Sequence, residues 1–568
     1  MEQFYLVMGT NTDSDPSNIY LRFILNEAYR TIGLLDRDPS SKTFGCLDRT
    51  HWAWKFTDFA GARFQEGLCT LSFLFSHKLD DNVFYKNEKL IDWIAGGFDF
   101  WASIQYSDGS FDEAYPYERS LAATAFTSFY LSEAFNFLNA DISGQCSDRF
   151  ISALAKAGSW LCNNDEKHGF LSNHLAAAAA ALYHAYRICE DERYEVRSDY
   201  FLNKILERQS TEGWYDEYGG ADPGYQTHGS FYLTRLFELS GNNTIADSLE
   251  RSFEFLAHFI HPDLSIGGEY ASRNTQTYYP AAFEMMAPIS NRAHLIAATM
   301  QPSVAQLSAA GLGSVDAYNY FPLLNNYVFA QIASSKFDRR PLEPTEEKDS
   351  SQSIYFKEAG INKISGERFE AYIGVKKGGV VKIFDKKKQK LILNDCGYIG
   401  RLGNGQLISS QIQDDSREII VADHKMVVKG SFAGFKRPVM TPFSFIGFRI
   451  FNLTFGRLKA FSYWLKSLLV KVLIYRKKNV ALNFERRIRW QDDQITITDR
   501  IQGDIGEQLE SLEWRELFTT IHMGSSRYFI PNELNQPAIS ETTRSQAIDI
   551  TQLKEGAEIE RSIKFKDN

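Results

Sequence analysis

The sequence predicts an α+β multidomain protein, with stacked helical hairpins followed by an antiparallel β-sandwich. Three observations carry that expectation. Apolar residues recur at three-to-four spacing from about residue 17 to 335, and a Gly-bearing loop returns between the helical stretches. Beyond residue 353 the apolar period changes to two. At 568 residues the chain is also too long for a single core.

In chain order, Asn18–Gly33 places Ile19, Phe23, Ile24, Ala28 and Ile32 on one stripe. Similar stripes run through Gly61–Phe75, Lys89–Ile104, Ser120–Leu138, Ser147–Cys162, Asn173–Cys189, Ser230–Leu239 and Thr244–Phe259. The recurring loops are Asp108-Gly-Ser-Phe-Asp-Glu113, Lys167-His-Gly-Phe170, Glu212-Gly-Trp-Tyr-Asp-Glu217 and Ile266-Gly-Gly-Glu-Tyr270. A repeated hairpin cannot bury its apolar face alone, so neighbours must stack. Closing the stack into an (α/α) toroid gathers the loops at one end. An open solenoid is the alternative, but polar, aromatic loops facing one cavity favour the toroid.

The helical domain is expected over 1–335 and a linker over 336–353, which is charged and carries two prolines. The β-sandwich is expected over 354–568. Its strands include Ser353-Ile-Tyr-Phe, Phe369-Glu-Ala-Tyr-Ile-Gly-Val, Val380-Val-Lys-Ile-Phe, Glu418-Ile-Ile-Val-Ala, Gln494-Ile-Thr-Ile-Thr and Ile559-Glu-Arg-Ser-Ile-Lys-Phe. One stretch breaks the pattern. From His424 to Phe484 there is no Asp or Glu but about a dozen Lys and Arg. Within this basic insertion, about 440–480, Phe455–Tyr475 reads as one amphipathic helix, with Lys459, Lys466 and Lys471 beside its apolar face. An anionic membrane surface or a partner protein suits such a segment.

Composition narrows the function. A net charge of −9 argues against a general nucleic-acid binder. Six scattered cysteines read as free thiols in a reducing compartment. The N-terminal stretch lacks the basic and apolar regions of a secretory signal, so a cytoplasmic location is expected, with peripheral attachment at the inner membrane face as an option. Histidines are too sparse in the β region for a metal site, and no cofactor is implied.

The stretch His168-Gly-Phe-Leu-Ser-Asn173-His174 runs into Ala176–Ala181, which favours helix strongly. Ser172 or Asn173 is the expected N-cap. About fifty residues later comes Asp222-Pro-Gly-Tyr225-Gln-Thr-His228. This pairing resembles the heparinase II/III-like polysaccharide lyases and their alginate-lyase relatives, as does the order of the two domains. The resemblance implies an (α/α) toroid plus β-sandwich in which an Asn, a His and a Tyr surround a uronate undergoing β-elimination. Its partner would be an acidic polysaccharide or a lipid-linked glycan. Asn173 would then neutralise the carboxylate, with His174 and Tyr225 moving the protons. Tyr225 needs a nearby cation to act as base, for which His228 and Arg273 are candidates. Asn274, Tyr270, Trp214 and Glu269 complete the expected substrate contacts. The His-Asn-Thr segment usual in the β domain of these lyases does not occur, and His424 is the one obvious substitute.

Three other readings remain. Asp112, Glu113, Asp216, Glu217, Glu269 and Glu284 suit a glycoside hydrolase on the same scaffold. A uronyl C5-epimerase shares proton abstraction at C5. A non-catalytic scaffold would bind glycan without turnover.

Overall fold

The computed structural model describes residues 19–166, 169–337, 352–436, 439–470, 478–505, 508–521, 527–534 and 545–565. The helical region comprises α1 (Ile19–Leu34), α2 (Gly67–Ser76), α3 (Glu88–Ser103), α4 (Leu121–Leu138), α5 (Gly144–Cys162), α6 (Ser172–Cys189), α7 (Glu192–Glu207), α8 (Pro223–Ser240), α9 (Asn243–Ala257), α10 (Ala281–Met286), α11 (Asn291–Gln306) and α12 (Ala317–Ser334). The even-numbered helices are buried nearly all round, whereas α3, α5, α7 and α9 bury one stripe. That difference separates an inner ring from an outer one.

The inner ring closes. Helices α2, α4, α6, α8, α10 and α12 contact one another in turn, and α12 returns to α2. Thr70 donates to the Asn325 amide oxygen at 2.7 Å across that closure, and the Asn325 amide donates to Glu66 O at 2.9 Å. The arrangement is a toroid, not an open solenoid. Ala176–Ala181 are all buried in α6, where a bare Cβ lets α4, α7 and α8 approach together. The loop glycines are forced by geometry. Gly109 (φ +96°) and Gly213 (φ +98°) lie where a Cβ would fall 2.1 Å from Lys156 O and 2.2 Å from Arg251 O, respectively.

The stretch Gly61–Phe75 is not one helix: a 3-10 turn over Ala62–Glu66 precedes α2. Most of the expected linker, residues 338–351, lies outside the described residues.

The β region forms two antiparallel sheets. The first is a meander of β1 (Gln352–Phe356), β2 (Ile361–Ser365), β3 (Phe369–Gly374), β4 (Val380–Asp385) and β5 (Lys390–Asp395). The second comprises β6 (Tyr398–Leu402), β7 (Leu407–Ser409), β8 (Glu418–Ala422), β9 (Lys425–Phe435), β10 (Lys478–Gln491), β11 (Gln494–Gly503), β12 (Leu509–Arg515), β13 (Ser545–Ala547) and β14 (Ala557–Lys564). Ile364, Ile373 and Ile383 meet Met426, Phe432 and Ile488 between the sheets.

The outer face of the first sheet packs on the toroid, where Tyr372, Val380 and Phe384 join Phe255, Phe259 and Tyr270 in one apolar cluster. Strand β4 is therefore buried on both faces. Its Lys382 reaches Glu269 of the helical region at 3.1 Å.

Between β9 and β10 the basic insertion folds as two helices, α13 (Pro442–Leu453) and α14 (Lys459–Val470), joined by a 3-10 turn over Phe455–Arg457. This corrects the single helix expected over Phe455–Tyr475. Lys471 and Tyr475 lie outside the described residues.

Candidate active site

The start of α6 is held by a neighbouring loop. Leu171 and Glu217 form an isolated antiparallel bridge, and Ser172 donates to Asp216 O through its N–H (3.2 Å) and its hydroxyl (2.8 Å). The bridge aims the Glu217 carboxyl at the first turn of α6. One oxygen accepts the Asn173 N–H and the other the Asn173 amide, each at 2.8 Å. The cap is therefore Glu217, and neither Ser172 nor Asn173 caps through its own side chain. Burial pushes the Glu217 pKa up to about 8, against the pull of the two Asn173 donors. Near neutral pH this carboxyl carries its proton, and the Asn173 amide keeps a second N–H.

His174 follows on the next position. Its Nδ1 lies 2.8 Å from a Glu166 oxygen, so Nδ1–H donates to that carboxylate and Nε2 is the nitrogen left for another partner. Its ring packs edge-on to Phe126 at 5.5 Å and stays partly exposed.

Tyr225 sits in the first turn of α8, not in a loop. One Asp222 oxygen accepts the Tyr225 N–H at 3.0 Å, capping that helix. The other accepts the N–H groups of Arg273 (2.9 Å) and Thr275 (3.3 Å), so a single carboxylate ties α8 to the Arg273 loop. The Arg273 guanidinium lies over Tyr218 at 4.2 Å and over Tyr225 at 5.7 Å. Burial raises the Tyr225 pKa, and the opposing pull of Arg273 does not overcome it. Tyr225 is thus a phenol, a proton donor, in the resting site. Asn274 follows at φ +63°, buried, and neither amide atom has a hydrogen-bond partner among the described residues.

Several expected contacts fall elsewhere. His228 is buried, stacked 4.1 Å from Tyr279, and its Nε2 lies 2.9 Å from the Tyr232 hydroxyl. Burial drives its pKa well below the usual value, with Arg63 adding to the effect, so the cation near Tyr225 is Arg273 and not His228. Tyr270 bonds His261 at 2.9 Å and stacks on Tyr372, inside the seam between toroid and sheet. Trp214 packs in the same seam and donates to Glu212 at 3.0 Å. Glu269 is buried against Lys382, with Arg527 at 3.7 Å. These three side chains hold the domains together. His424 occupies the exposed β8–β9 turn at φ +53°, 6.1 Å from Trp490, and is no substitute for the absent His-Asn-Thr segment.

Two contributors escape sequence reasoning. Arg63, from the 3-10 turn, bonds Glu66 at 2.7 Å and Glu113 at 3.2 Å, and lies over the Phe126 ring at 4.6 Å. Burial raises the Glu66 pKa to about 7, outweighing Arg63. Tyr528 arrives from the β region and donates to Asp316 at 3.0 Å; burial raises its pKa, and the Asp316 carboxylate adds to the effect.

The remaining acids are engaged. Asp112 accepts Tyr106 and two backbone N–H groups. Asp216 accepts Gly219 N–H at 2.7 Å, and Glu284 accepts Tyr20 at 2.7 Å.

Residues 84–282 match the sequence model of the ulvan lyase N-terminal domain. Solved structures extend the likeness to both regions. The Streptomyces coelicolor A3 chondroitin AC lyase matches with a TM-score of 0.54 at 11% identity, covering 89% of this chain and 69% of that one. The chain has a polysaccharide lyase fold. The Paenibacillus xanthan lyase matches at 0.51 and 11% identity over 88% of this chain, which spans about half, 46%, of that enzyme's length. Heparinase III matches at 0.50 and 9% identity, covering 89% and 73%. A search of curated protein sequences returned no match.

Proposed function

We propose that the protein is a polysaccharide lyase acting on a uronate-containing glycan by β-elimination. The observation that carries this reading is the Asn173–Glu217 pair beside Tyr225 and Arg273. A uronate brings a carboxylate whose charge must be offset before its C5–H becomes acidic. An amide with an N–H to spare, a carboxyl that is neutral near pH 7 and a buried guanidinium form such a donor set. His174 Nε2 then takes the C5 proton. The Tyr225 phenol protonates the departing glycosidic oxygen, with Arg273 stabilising the phenolate that remains. Two carboxyls pushed towards neutrality, Glu66 and Glu217, reduce repulsion of an anionic chain.

The fold neighbours are consistent with this chemistry, and the chondroitin AC lyase has been solved with chondroitin sulphate bound. A hydrolase is disfavoured because the acids on these loops are engaged: Asp112 by the Tyr106 hydroxyl and loop N–H groups, Asp216 by a turn N–H, Glu217 as the α6 cap and Glu269 by Lys382. The test is turnover of a panel of uronate glycans in ¹⁸O-water and, in parallel, in deuterium oxide. Elimination yields an unsaturated sugar with no label, whereas labelled saturated ends would establish hydrolysis. Deuterium at C5 without cleavage would establish epimerisation.

A further inference from the structure

The α13–α14 hairpin is built with its apolar side outward. Phe443, Ile446 and Ile450 follow three-and-four spacing along α13, and they are 86%, 54% and 59% exposed. Phe455, Leu458 and Trp464 continue the surface at 55%, 58% and 57%. Phe451 joins the two runs, 6.0 Å from Phe455 and 6.4 Å from Trp464, so this is one continuous patch.

The polar side faces the protein. Ser462 donates to Tyr117 O at 2.7 Å, Tyr463 to the Asn164 amide oxygen at 2.8 Å, and Arg119 to Arg457 O at 2.9 Å. Arg449 pairs with Asp58, and Asn452 is buried. A hairpin pinned by its polar face and presenting a wide, continuous apolar face to water marks an interaction site for an apolar partner.

We propose that this partner is an anionic lipid surface, which the hairpin enters in plane. Charge selects it. The segment from His424 to Phe484 holds a dozen Lys and Arg and no acid, in a chain of net charge −9. Arg457 and Lys459 are exposed within the hairpin, and Lys436 is exposed where β9 ends and the insertion begins. A symmetric pairing of two copies through this face would set basic residue against basic residue. Aromatic and aliphatic side chains flanked by cations are what the headgroup boundary accepts. Each helix has 12 residues, about 18 Å long, which is too short to span a bilayer. No described helix is long and apolar enough to cross a membrane.

The location has a consequence. The hairpin is clipped to the 106–119 loop and to Asn164, two residues from the Glu166 that orients His174. Membrane attachment would hold the candidate site beside the lipid surface. The lipid proposal rests on the hairpin alone and stands whether or not the lyase reading does.

Flotation of the full chain with phosphatidylcholine vesicles, with and without phosphatidylglycerol, tests it. The wild type floats with the anionic vesicles only, and salt releases it. K436E/K459E weakens recovery by about fivefold or more per cation removed. F443S/I446S/W464S abolishes it, and both variants melt as the wild type does. Failure to float, equal recovery with neutral vesicles, or wild-type flotation by either variant would overturn the proposal. So would a hairpin-dependent dimer in sedimentation velocity without flotation, which would identify a second copy as the cover.

Discussion

Glu217 does two jobs with one carboxyl: it caps α6, and it brings a raised-pKa group to the candidate site. The second carries a cost that pH reveals. Its folded pKa, about 8, lies above that of an unfolded glutamate. The folded state therefore binds the extra proton, and this contribution is complete at pH below the ordinary carboxylate range. It is lost as pH rises to 8, at up to about 1.4 kcal/mol per pH unit. Glu217→Gln cannot titrate. Urea denaturation at pH 5 and pH 8 should show the wild type losing more stability than Glu217→Gln across that interval. Equal losses would mean that Glu217 is ionised throughout.

At the scale of elements, the seam between toroid and sheet depends on Lys382 of β4 and Glu269 of the α9–α10 loop, each almost completely buried. Burial alone would raise the Glu269 pKa, yet Lys382, with Arg527, holds it below the usual value. Lys382→Ala strands that carboxylate and should cost roughly 3–5 kcal/mol in chemical denaturation. Lys382→Met with Glu269→Leu should recover most of the loss. A double variant as unstable as the single one would show that the ion pair, and not merely its stranded half, sustains the seam.

These elements also show what a sequence discloses. Ala176–Ala181 reads as helix with side chains small enough to let a neighbouring helix approach closely, and the structure buries all six against α4, α7 and α8. The loops of the repeat read as one class, but periodicity does not reveal which way a loop faces. Glu217 turns to the start of α6 and the candidate site. Trp214 and Tyr270, from the same loop type, turn to the sheet and meet Phe255 and Tyr372. Arg63 is hidden for another reason. In Gly61-Ala-Arg-Phe-Gln-Glu66 it looks like any helix-surface arginine, and only the 3-10 turn and the Glu66–Glu113 partners bury it. Tyr528 reaches the toroid through a long-range contact that no local pattern encodes.

For the molecule as a whole, β4 buried on both faces makes the first sheet a shared layer between toroid and second sheet. Helical and β structure should accordingly be lost in one transition, read by far-ultraviolet circular dichroism and tryptophan fluorescence together. Separate midpoints would show two independently stable units. Ultraviolet absorbance followed during incubation with uronate glycans detects the conjugated double bond that only elimination leaves. The signal should rise for the wild type. Asn173→Ala and Tyr225→Phe, which remove a charge-neutralising donor and a proton carrier, should each lower the rate by about 10²–10⁴-fold with folding intact. Wild-type absorbance kinetics in both variants would contradict the lyase reading.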